Sequence, residues 1–284
     1  MQGTCILGIY REEVFSPGKI QEDAGILDMT LSKLNQMGYK TISMRAEDIS
    51  TKIVPPDLVL NMAQSEQVLG VLLELQKSLI PVINSVQSVG NCYRKRLIPL
   101  LVKKGLPIPE SRIVPINKLQ KEGLPGNRSA TYWLKRGDVH AMHARDVVHV
   151  SSDDDLISAV NHFHSQGVED ILVQEHVEGN TVKFYGVGPG EYFIAFSVAT
   201  GEETEFQTND LSRIARLSAM AAGLEIYGGD AIITPEGKVV LIDLNDWPSF
   251  SMCRGHAAEA IVRHAAHLIN GGLHGETKHP KRDC

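Results

Sequence analysis

The sequence predicts an α/β protein of two or three lobes, for three reasons. The chain has 284 residues, which is longer than a typical single domain. Strand-like and helix-like segments alternate through its N-terminal third, and such alternation is typical of a mostly parallel sheet. The pattern then changes after Gly105-Leu106-Pro107-Ile108-Pro109, where a glycine and two prolines end the preceding helix.

The N-terminal elements follow from the spacing of apolar residues. Short apolar runs predict strands over 4–10, 40–44, 57–62 and 81–84. Apolar residues recur at helical spacing at Ile26, Leu27, Leu31 and Leu34, so we expect a helix over 24–37. Further helices are predicted over 66–79 and 89–104.

After the boundary the pattern predicts more strands, of which the first two look antiparallel, and three helices. We expect strands over 131–135, 146–150, 170–177, 181–187, 192–198, 227–234 and 238–244. A helix over 153–166 would be capped by Ser151 or Ser152, because serine side chains accept hydrogen bonds from the first free backbone N–H groups. Two further helices are predicted over 210–222 and 256–270.

Composition argues against several classes of protein. No apolar stretch approaches the roughly 20 residues that a membrane span needs. The 28 basic and 34 acidic residues give a net charge of −6, which argues against a bulk nucleic-acid binder. The N-terminus has no basic region followed by a long apolar run, so we expect no signal peptide and a cytoplasmic location. The four cysteines are far apart, and we expect them to be reduced thiols.

A strand near the C-terminus carries candidate metal ligands. Asp243 and Asn245 alternate on this strand, so their side chains share one face. The turn over 235–238 suits a hairpin, which would place Asp230 of the preceding strand beside them. Three hard oxygen ligands suit Mg²⁺. The alternative is that the aspartate and asparagine only cap a turn.

Two lysines on apolar strands are candidate phosphate ligands. Lys135 is costly to bury unless it meets an anion, although a solvated position on an edge strand is an equally common alternative. Lys183 alternates with apolar neighbours and would face inward with Tyr185, where it could neutralise a transferring phosphate. The alternative for Lys183 is a cross-strand pair with an acidic residue.

A third candidate site follows the apolar run Ile171-Leu172-Val173. The polar segment Gln174, Glu175, His176 and Val177 could form a hinge whose backbone groups bind an adenine edge, and Glu178 could bind a ribose hydroxyl. A strand followed by a turn also needs no ligand, so this segment alone is a weak signal.

The order of these sites resembles that of the ATP-grasp enzymes: strand lysine, polar hinge, inward lysine, aspartate, then Asp-x-Asn. The resemblance extends from about residue 81 to the last helix. It implies an α/β ATP-grasp fold with a small parallel α/β domain over 1–87, a linker helix and smaller ATP-binding lobe over 88–178, and a C-terminal lobe with the magnesium site over 179–284.

The resemblance also implies ATP and Mg²⁺ as cofactors and a role for each site. Lys135 would bind the α- and β-phosphates, and Arg94 or Lys95 would also reach phosphate. The hinge from Gln174 to Val177 would bind adenine, with Glu178 on the ribose. The Mg²⁺ ligands would be Asp230, Asp243 and Asn245.

Two branches of the superfamily fit the residues. Carboxylate–amine or carboxylate–thiol ligases form an acyl phosphate, whereas inositol trisphosphate kinases phosphorylate a hydroxyl. The Asp243-Leu244-Asn245 trio, Lys183 and His140 resemble those of the kinases more closely. A polyphosphate pocket needs several convergent basic residues, however, and this chain is acidic with few basic clusters. We therefore expect a ligase.

The expected substrate is a small acidic molecule: an amino acid, a peptide or a phosphorylated polyol. Lys183, His140 and Arg254 are the candidate catalytic residues, and Arg254 could bind a carboxylate through two parallel hydrogen bonds. A homo-oligomer is a further expectation, because ligases of this kind are often oligomeric. Two other classes are a binding protein without catalysis and a dinucleotide-dependent oxidoreductase, but the latter needs a glycine fingerprint that is missing after the first strand.

Overall fold

A computed structural model describes residues 3–50, 53–124, 131–138, 144–204 and 208–272. Within these residues the chain forms three four-stranded sheets, which follow one another along the sequence. This mixed α/β architecture agrees with the predicted fold class. The exact domain boundaries remain a prediction.

The first sheet is parallel, as predicted. Its strands are β1 (Cys5–Ile9), β2 (Lys40–Met44), β3 (Leu58–Asn61) and β4 (Val82–Ile83), in the order β2-β1-β3-β4. The helices that connect them are α1 (Ile20–Gln36) and α2 (Glu66–Lys77). Every residue of β1 and β3 is buried, which is typical of parallel strands covered on both faces.

The helix predicted over 89–104 is in fact two helices, α3 (Val86–Asn91) and α4 (Arg94–Lys103). The break comes at Tyr93, whose backbone is extended at φ −63° and ψ 125°. Its hydroxyl donates to the backbone oxygen of Gln64 at 2.7 Å, a long-range contact that local sequence does not indicate. The break makes Arg94 the first residue of α4.

The second sheet is antiparallel and has helices on one face. Its strands are β5 (Ser111–Pro115), β6 (Tyr132–Arg136), β7 (Val147–Val150) and β8 (Asp170–Glu175), in the order β5-β8-β6-β7. The helices are α5 (Ile116–Glu122) and α6 (Asp153–Ser165), and Ser152 caps α6 by accepting from the N–H of Asp155. Neither β5 nor α5 is predicted from the sequence. Tyr132 and Leu134 face the helices, so Trp133 and Lys135 lie on the opposite face.

The third sheet is also antiparallel and lies between two helices. Its strands are β9 (Asn180–Val187), β10 (Tyr192–Ser197), β11 (Ile226–Ile233) and β12 (Val239–Asp246), in the order β10-β9-β11-β12. The helices are α7 (Thr208–Ala222) and α8 (Arg254–Gly272). A tight turn joins β11 to β12, with Gly237 at a φ of 79°, so the predicted hairpin is confirmed.

The first and third sheets share one hydrophobic core. Ile6 and Leu27 from the N-terminal part pack in the same cluster as Tyr185 of β9 and Ile261 of α8. The buried Asn84 makes the polar part of this junction. Its Oδ1 accepts from the N–H groups of Glu225 at 2.8 Å and Ile226 at 2.9 Å, and its Nδ2 donates to the oxygen of Ile226. The N-terminal sheet is therefore fixed to the start of β11.

The structure bears on two expectations from composition, the absence of a membrane span and the state of the cysteines. No helix in the described ranges is both long and apolar enough to cross a membrane. Cys92 and Cys253 are free thiols, whereas Cys5 is disulfide-bonded, so the expectation of four reduced cysteines is wrong. The cytoplasmic location remains a prediction.

Replacing Asn84 by alanine should lower the free energy of unfolding by about 2–4 kcal/mol, because it leaves the N–H groups of the half-buried Glu225 and the buried Ile226 without an acceptor. Urea denaturation measures this loss. The control is Asn91→Ala, which removes a side chain that is only half-buried and donates to Ala222, and it should cost about 1 kcal/mol. Equal losses in the two variants would contradict the role given to Asn84.

Candidate active site

Three charged side chains lie side by side on neighbouring strands of the third sheet. Asp230 of β11 pairs directly with Asp243 of β12 on one side and with Lys183 of β9 on the other. Lys183 Nζ is 3.8 Å from Asp230 Oδ1. Asn245 lies two residues beyond Asp243 on the same face of β12. The pairing of β9, β11 and β12 thus brings together the four residues that the sequence predicted for the metal and the inward lysine.

The glycines before Asp230 allow this close packing of strands. A Cβ atom at Gly229 would lie 2.3 Å from the backbone oxygen of Asp243. One at Gly228 would lie 2.8 Å from the ring of Pro248 and 3.0 Å from the oxygen of Phe184. Any larger residue would force β11 away from its neighbours, and the aspartates would separate.

A β-bulge in β12 connects the second sheet to this site. The register shifts after Asp230, which pairs with Asp243, so that Ala231 pairs with Leu241 and Ile242 is the extra residue. Bulges of this kind free backbone groups from the ladder and are frequent beside active sites. Here the backbone oxygen of Ile242 accepts a hydrogen bond from Lys135 Nζ at 3.0 Å.

Arg94 makes the second connection. Its side chain is only 2% exposed, and its Nη2 donates to Asp243 Oδ2 at 2.8 Å. Its Nη1 donates to the backbone oxygen of Arg136 on β6 at 3.2 Å. Of the two residues predicted to reach phosphate, Arg94 is thus at the site, whereas the side chain of Lys95 is exposed.

Burial and neighbouring charges shift the pKa values of this group. Burial lowers the pKa of Lys135 to about 8, although the attraction of Asp243 opposes the shift. Burial alone would raise the pKa of Asp243, but Arg94 and Lys135 outweigh it and hold this pKa below its usual range. The pKa of Asp230 is raised by burial, with Lys183 opposing the shift. The basic residues therefore stabilise the charge of Asp243 more than that of Asp230.

The side-chain oxygen atoms of Asp230, Asp243 and Asn245 fit a hard divalent cation. Among the described residues, no group of three or more His, Cys, Asp or Glu side chains could hold a metal ion. The candidate site instead combines two carboxylates with the amide oxygen of Asn245, which is half-buried. Mg²⁺ is commonly bound by one or two carboxylates plus substrate phosphates. The ligand set is therefore adequate for Mg²⁺ bound with a nucleotide.

A cavity of about 280 Å³ lies in front of these residues. The third sheet contributes Lys183, Tyr185, Asp230, Asp243 and Asn245 to its wall. The loop after β1 forms the opposite wall with the first turn of α1. The loop contributes Arg11, Phe15, Ser16 and Lys19, and α1 contributes Asp23. A molecule in this cavity would contact both the N-terminal part and the carboxylates of the third sheet.

Arg11, which is not among the predicted site residues, holds the loop after β1 in place. Its guanidinium donates to the backbone oxygens of Trp247 at 2.8 Å and Asp246 at 3.2 Å, and it pairs with Asp23 at 3.2 Å. Ser16 also donates to Asp23. A signal existed, because Arg11 follows the first strand of a parallel sheet, and ligands bind near the carboxyl ends of such strands.

A small aromatic cluster, which is not predicted from the sequence, forms between His176 of the predicted hinge and the neighbouring strands β6 and β7. His176 Nδ1 accepts from Trp133 Nε1 at 2.9 Å. Because an indole only donates, the proton of a neutral His176 is on Nε2, which is 3.2 Å from Glu178 Oε1. The rings of Trp133 and His149 are 4.9 Å apart. Trp133 lies on the same face of β6 as Lys135, and this alternation could have indicated it.

The other residues of the predicted hinge differ in how far their side chains are exposed. Gln174 is buried and its side chain donates to Ser111. Glu175 and Val177 are half-buried, whereas the side chain of Glu178 is 87% exposed. The side chain of Gln174 is thus already bound within the sheet, and backbone groups are the better candidates for contacts with a ligand.

One predicted catalytic residue lies away from the carboxylates, and another lies outside the described residues. Arg254 lies in the first turn of α8, and its Nη2 donates to the backbone oxygen of Glu22 at 3.1 Å. It is not part of the cavity wall. His140 lies outside the described residues. The roles of both remain predictions.

Comparison with solved structures identifies the fold. D-alanine–D-alanine ligase from Bacillus anthracis, complexed with ATP, matches with a TM-score of 0.72 and 12% identity over 95% of this chain and 99% of that one. The VanG D-Ala:D-Ser ligase from Enterococcus faecalis matches with a TM-score of 0.71 and 16% identity over 94% and 100%. A RimK domain ATP-grasp protein from Sphaerobacter thermophilus matches with a TM-score of 0.67 and 16% identity over 92% of this chain and 98% of that one.

No family model and no curated protein matches the sequence. At these identities the structural likeness shows the fold alone. The chain has the ATP-grasp fold along nearly its whole length, which confirms the fold that the resemblance implied.

Proposed function

We propose that the protein is an ATP- and magnesium-dependent ligase that joins a carboxylate to an amine or thiol through an acyl phosphate. The observation that carries this proposal is the row formed by Lys183, Asp230 and Asp243, which faces a small cavity walled by the N-terminal loop. The ATP-grasp fold supports the proposal, because the solved structures with this fold cited above include ligases of amino acids.

The nucleotide would lie between the second and third sheets. Lys135 and Arg94 would bind its phosphates, and the hinge from Gln174 to Val177 would bind adenine. Asp230, Asp243 and Asn245 would hold Mg²⁺, which supplies charge neutralisation on the phosphates when it is bound. Lys183 is 45% exposed at the cavity, and this position would let its ammonium group stabilise the developing charge of a transferring phosphoryl group.

The cavity would hold the acceptor substrate. A volume of about 280 Å³ is suited to an amino acid or a very short peptide. Lys19 and Lys183 could bind a carboxylate, and Asp23 lies on the same wall as Lys19. A substrate with both acidic and amino groups is therefore the best match to the wall. The structural neighbour PsnB, an ATP-grasp ligase, was solved in complex with a precursor peptide.

A small-molecule kinase of the inositol phosphate type is the second candidate, favoured by the Asp243-Leu244-Asn245 trio. Several convergent cations are needed to bind a polyphosphate. Among the described cavity residues the cations are Arg11, Lys19 and Lys183, and Arg11 is already bound to Asp23 and two backbone oxygens. The wall therefore favours the ligase.

Magnesium-dependent ATP consumption should require a carboxylate and an amine or thiol together, in a panel of amino acids, peptides and inositol phosphates. Asp243→Ala should reduce turnover at least about a hundredfold, since it removes charge stabilisation at the phosphates. Asp210→Ala on the exposed face of α7 is the matched control and should leave turnover unchanged. Turnover with a phosphorylated polyol alone would make the protein a kinase, and an absence of ATP binding would reject both proposals.

The affinity for ATP should fall as pH rises through about 8, the pKa of Lys135. Below that pH the ammonium group is charged and available to phosphate, and above it the proton must be taken up on binding. The expected loss is up to roughly tenfold per pH unit. Calorimetric titration from pH 7 to 9.5 measures it. Lys135→Arg should abolish the slope, because a guanidinium stays charged, and a flat wild-type profile would contradict the assignment.

A further inference from the structure

We propose that Arg94 is an internal counter-ion that occupies Asp243 until a nucleotide arrives, so that the divalent metal binds well only together with the nucleotide. The inference rests on the proposed function, because it takes the metal and ATP sites as given there. It adds an exchange of partners by this arginine and a strict coupling between metal and nucleotide.

Both oxygens of Asp243 are already used within the protein. Oδ2 accepts from Arg94 Nη2 at 2.8 Å, and Oδ1 accepts from the N–H of Leu244 at 3.1 Å. A metal that approached Asp243 would meet the guanidinium at the same carboxylate. Each oxygen keeps a second lone pair, so the positively charged guanidinium does not exclude a metal sterically but competes with it for the same carboxylate.

The local charges also oppose a metal without a nucleotide. Asp230 and Asp243 face three cations: Lys183 at 3.8 Å from Asp230, Arg94 at 2.8 Å from Asp243, and Lys135 on the adjoining oxygen of Ile242. Two negative charges against three positive ones leave this group positive, so a divalent cation would be repelled. The phosphates of a nucleotide would reverse the sign and attract the metal.

Arg94 is built to exchange one anion for another. Its planar guanidinium binds carboxylates and phosphates with the same paired geometry, so a phosphate could replace Asp243 as its partner. It is also tied to the backbone oxygen of Arg136 on the second sheet, and its burial keeps it inside the cleft. The freed carboxylate of Asp243 would then be available to the metal.

The alternative is a permanent structural ion pair that only orients Asp243. The two roles differ in the effect of removing the guanidinium. A structural pair should weaken metal binding and nucleotide binding together when Arg94 is lost. An exchanging counter-ion should strengthen binding of the metal alone and weaken binding of the nucleotide.

The test uses the full chain and two readouts other than turnover. Mn²⁺ binding without nucleotide is measured from the electron paramagnetic resonance signal of the free ion. Binding of a non-hydrolysable ATP analogue with Mg²⁺ is measured by calorimetry. In Arg94→Met we expect Mn²⁺ alone to bind about tenfold or more tightly than in the wild type, and the analogue to bind about tenfold or more weakly. Arg96→Met, two residues along on the exposed side of α4, should change neither.

Several results would overturn the proposal. Mn²⁺ binding by Arg94→Met that equals or falls below that of the wild type would leave Arg94 a structural residue. If the variant does not fold, Mn²⁺ binding by the wild type is measured with and without the analogue. Tight binding without it would overturn the proposal, because Arg94 would not be keeping the metal from Asp243, and at least about tenfold tighter binding with it would support the proposal. If Arg94→Met gains no affinity for Mn²⁺ but the wild type still binds the analogue, only this inference is rejected. A wild type that does not bind the analogue rejects the proposed function and this inference with it.

Discussion

The buried ion pair between Arg94 and Asp243 is the interaction on which the rest of the site depends. Removing two charges from water is unfavourable unless close partners compensate, and here each partner is fixed by a local irregularity of the backbone. The break at Tyr93 starts α4 at Arg94, and the bulge at Ile242 sets the position of Asp243 and offers an oxygen to Lys135. The second and third sheets are joined through these charges.

The N-terminal part is fixed to the same sheet by a separate polar network. Asn84 binds the start of β11, while Arg11 binds the end of β12 through the oxygens of Asp246 and Trp247. Gln64 donates to the buried side chain of Asp246 at 2.9 Å. Because these contacts hold the loop after β1 at a fixed distance from the carboxylates, the cavity has a defined width before any ligand binds.

Features set by local sequence were predictable, and features set by distant partners were not. The hairpin that pairs Asp230 with Asp243 follows from two apolar strands and a short turn. The break at Tyr93 and the partner of Arg94, which lies 149 residues away, depend on contacts that no local pattern contains. The strand β5 was not predicted, because it is short, half-exposed and ends at Pro115. Arg254 was predicted from residue type alone, and its side chain instead binds the backbone of α1.

A crystal structure with a non-hydrolysable ATP analogue and Mn²⁺ tests the central claim most directly, since Mn²⁺ is located by its anomalous scattering. We expect the metal on the oxygens of Asp230, Asp243 and Asn245, and the phosphates between Lys135 and Arg94, with the guanidinium no longer on Asp243. A nucleotide bound elsewhere, or a metal that does not contact Asp243, would contradict the site described above.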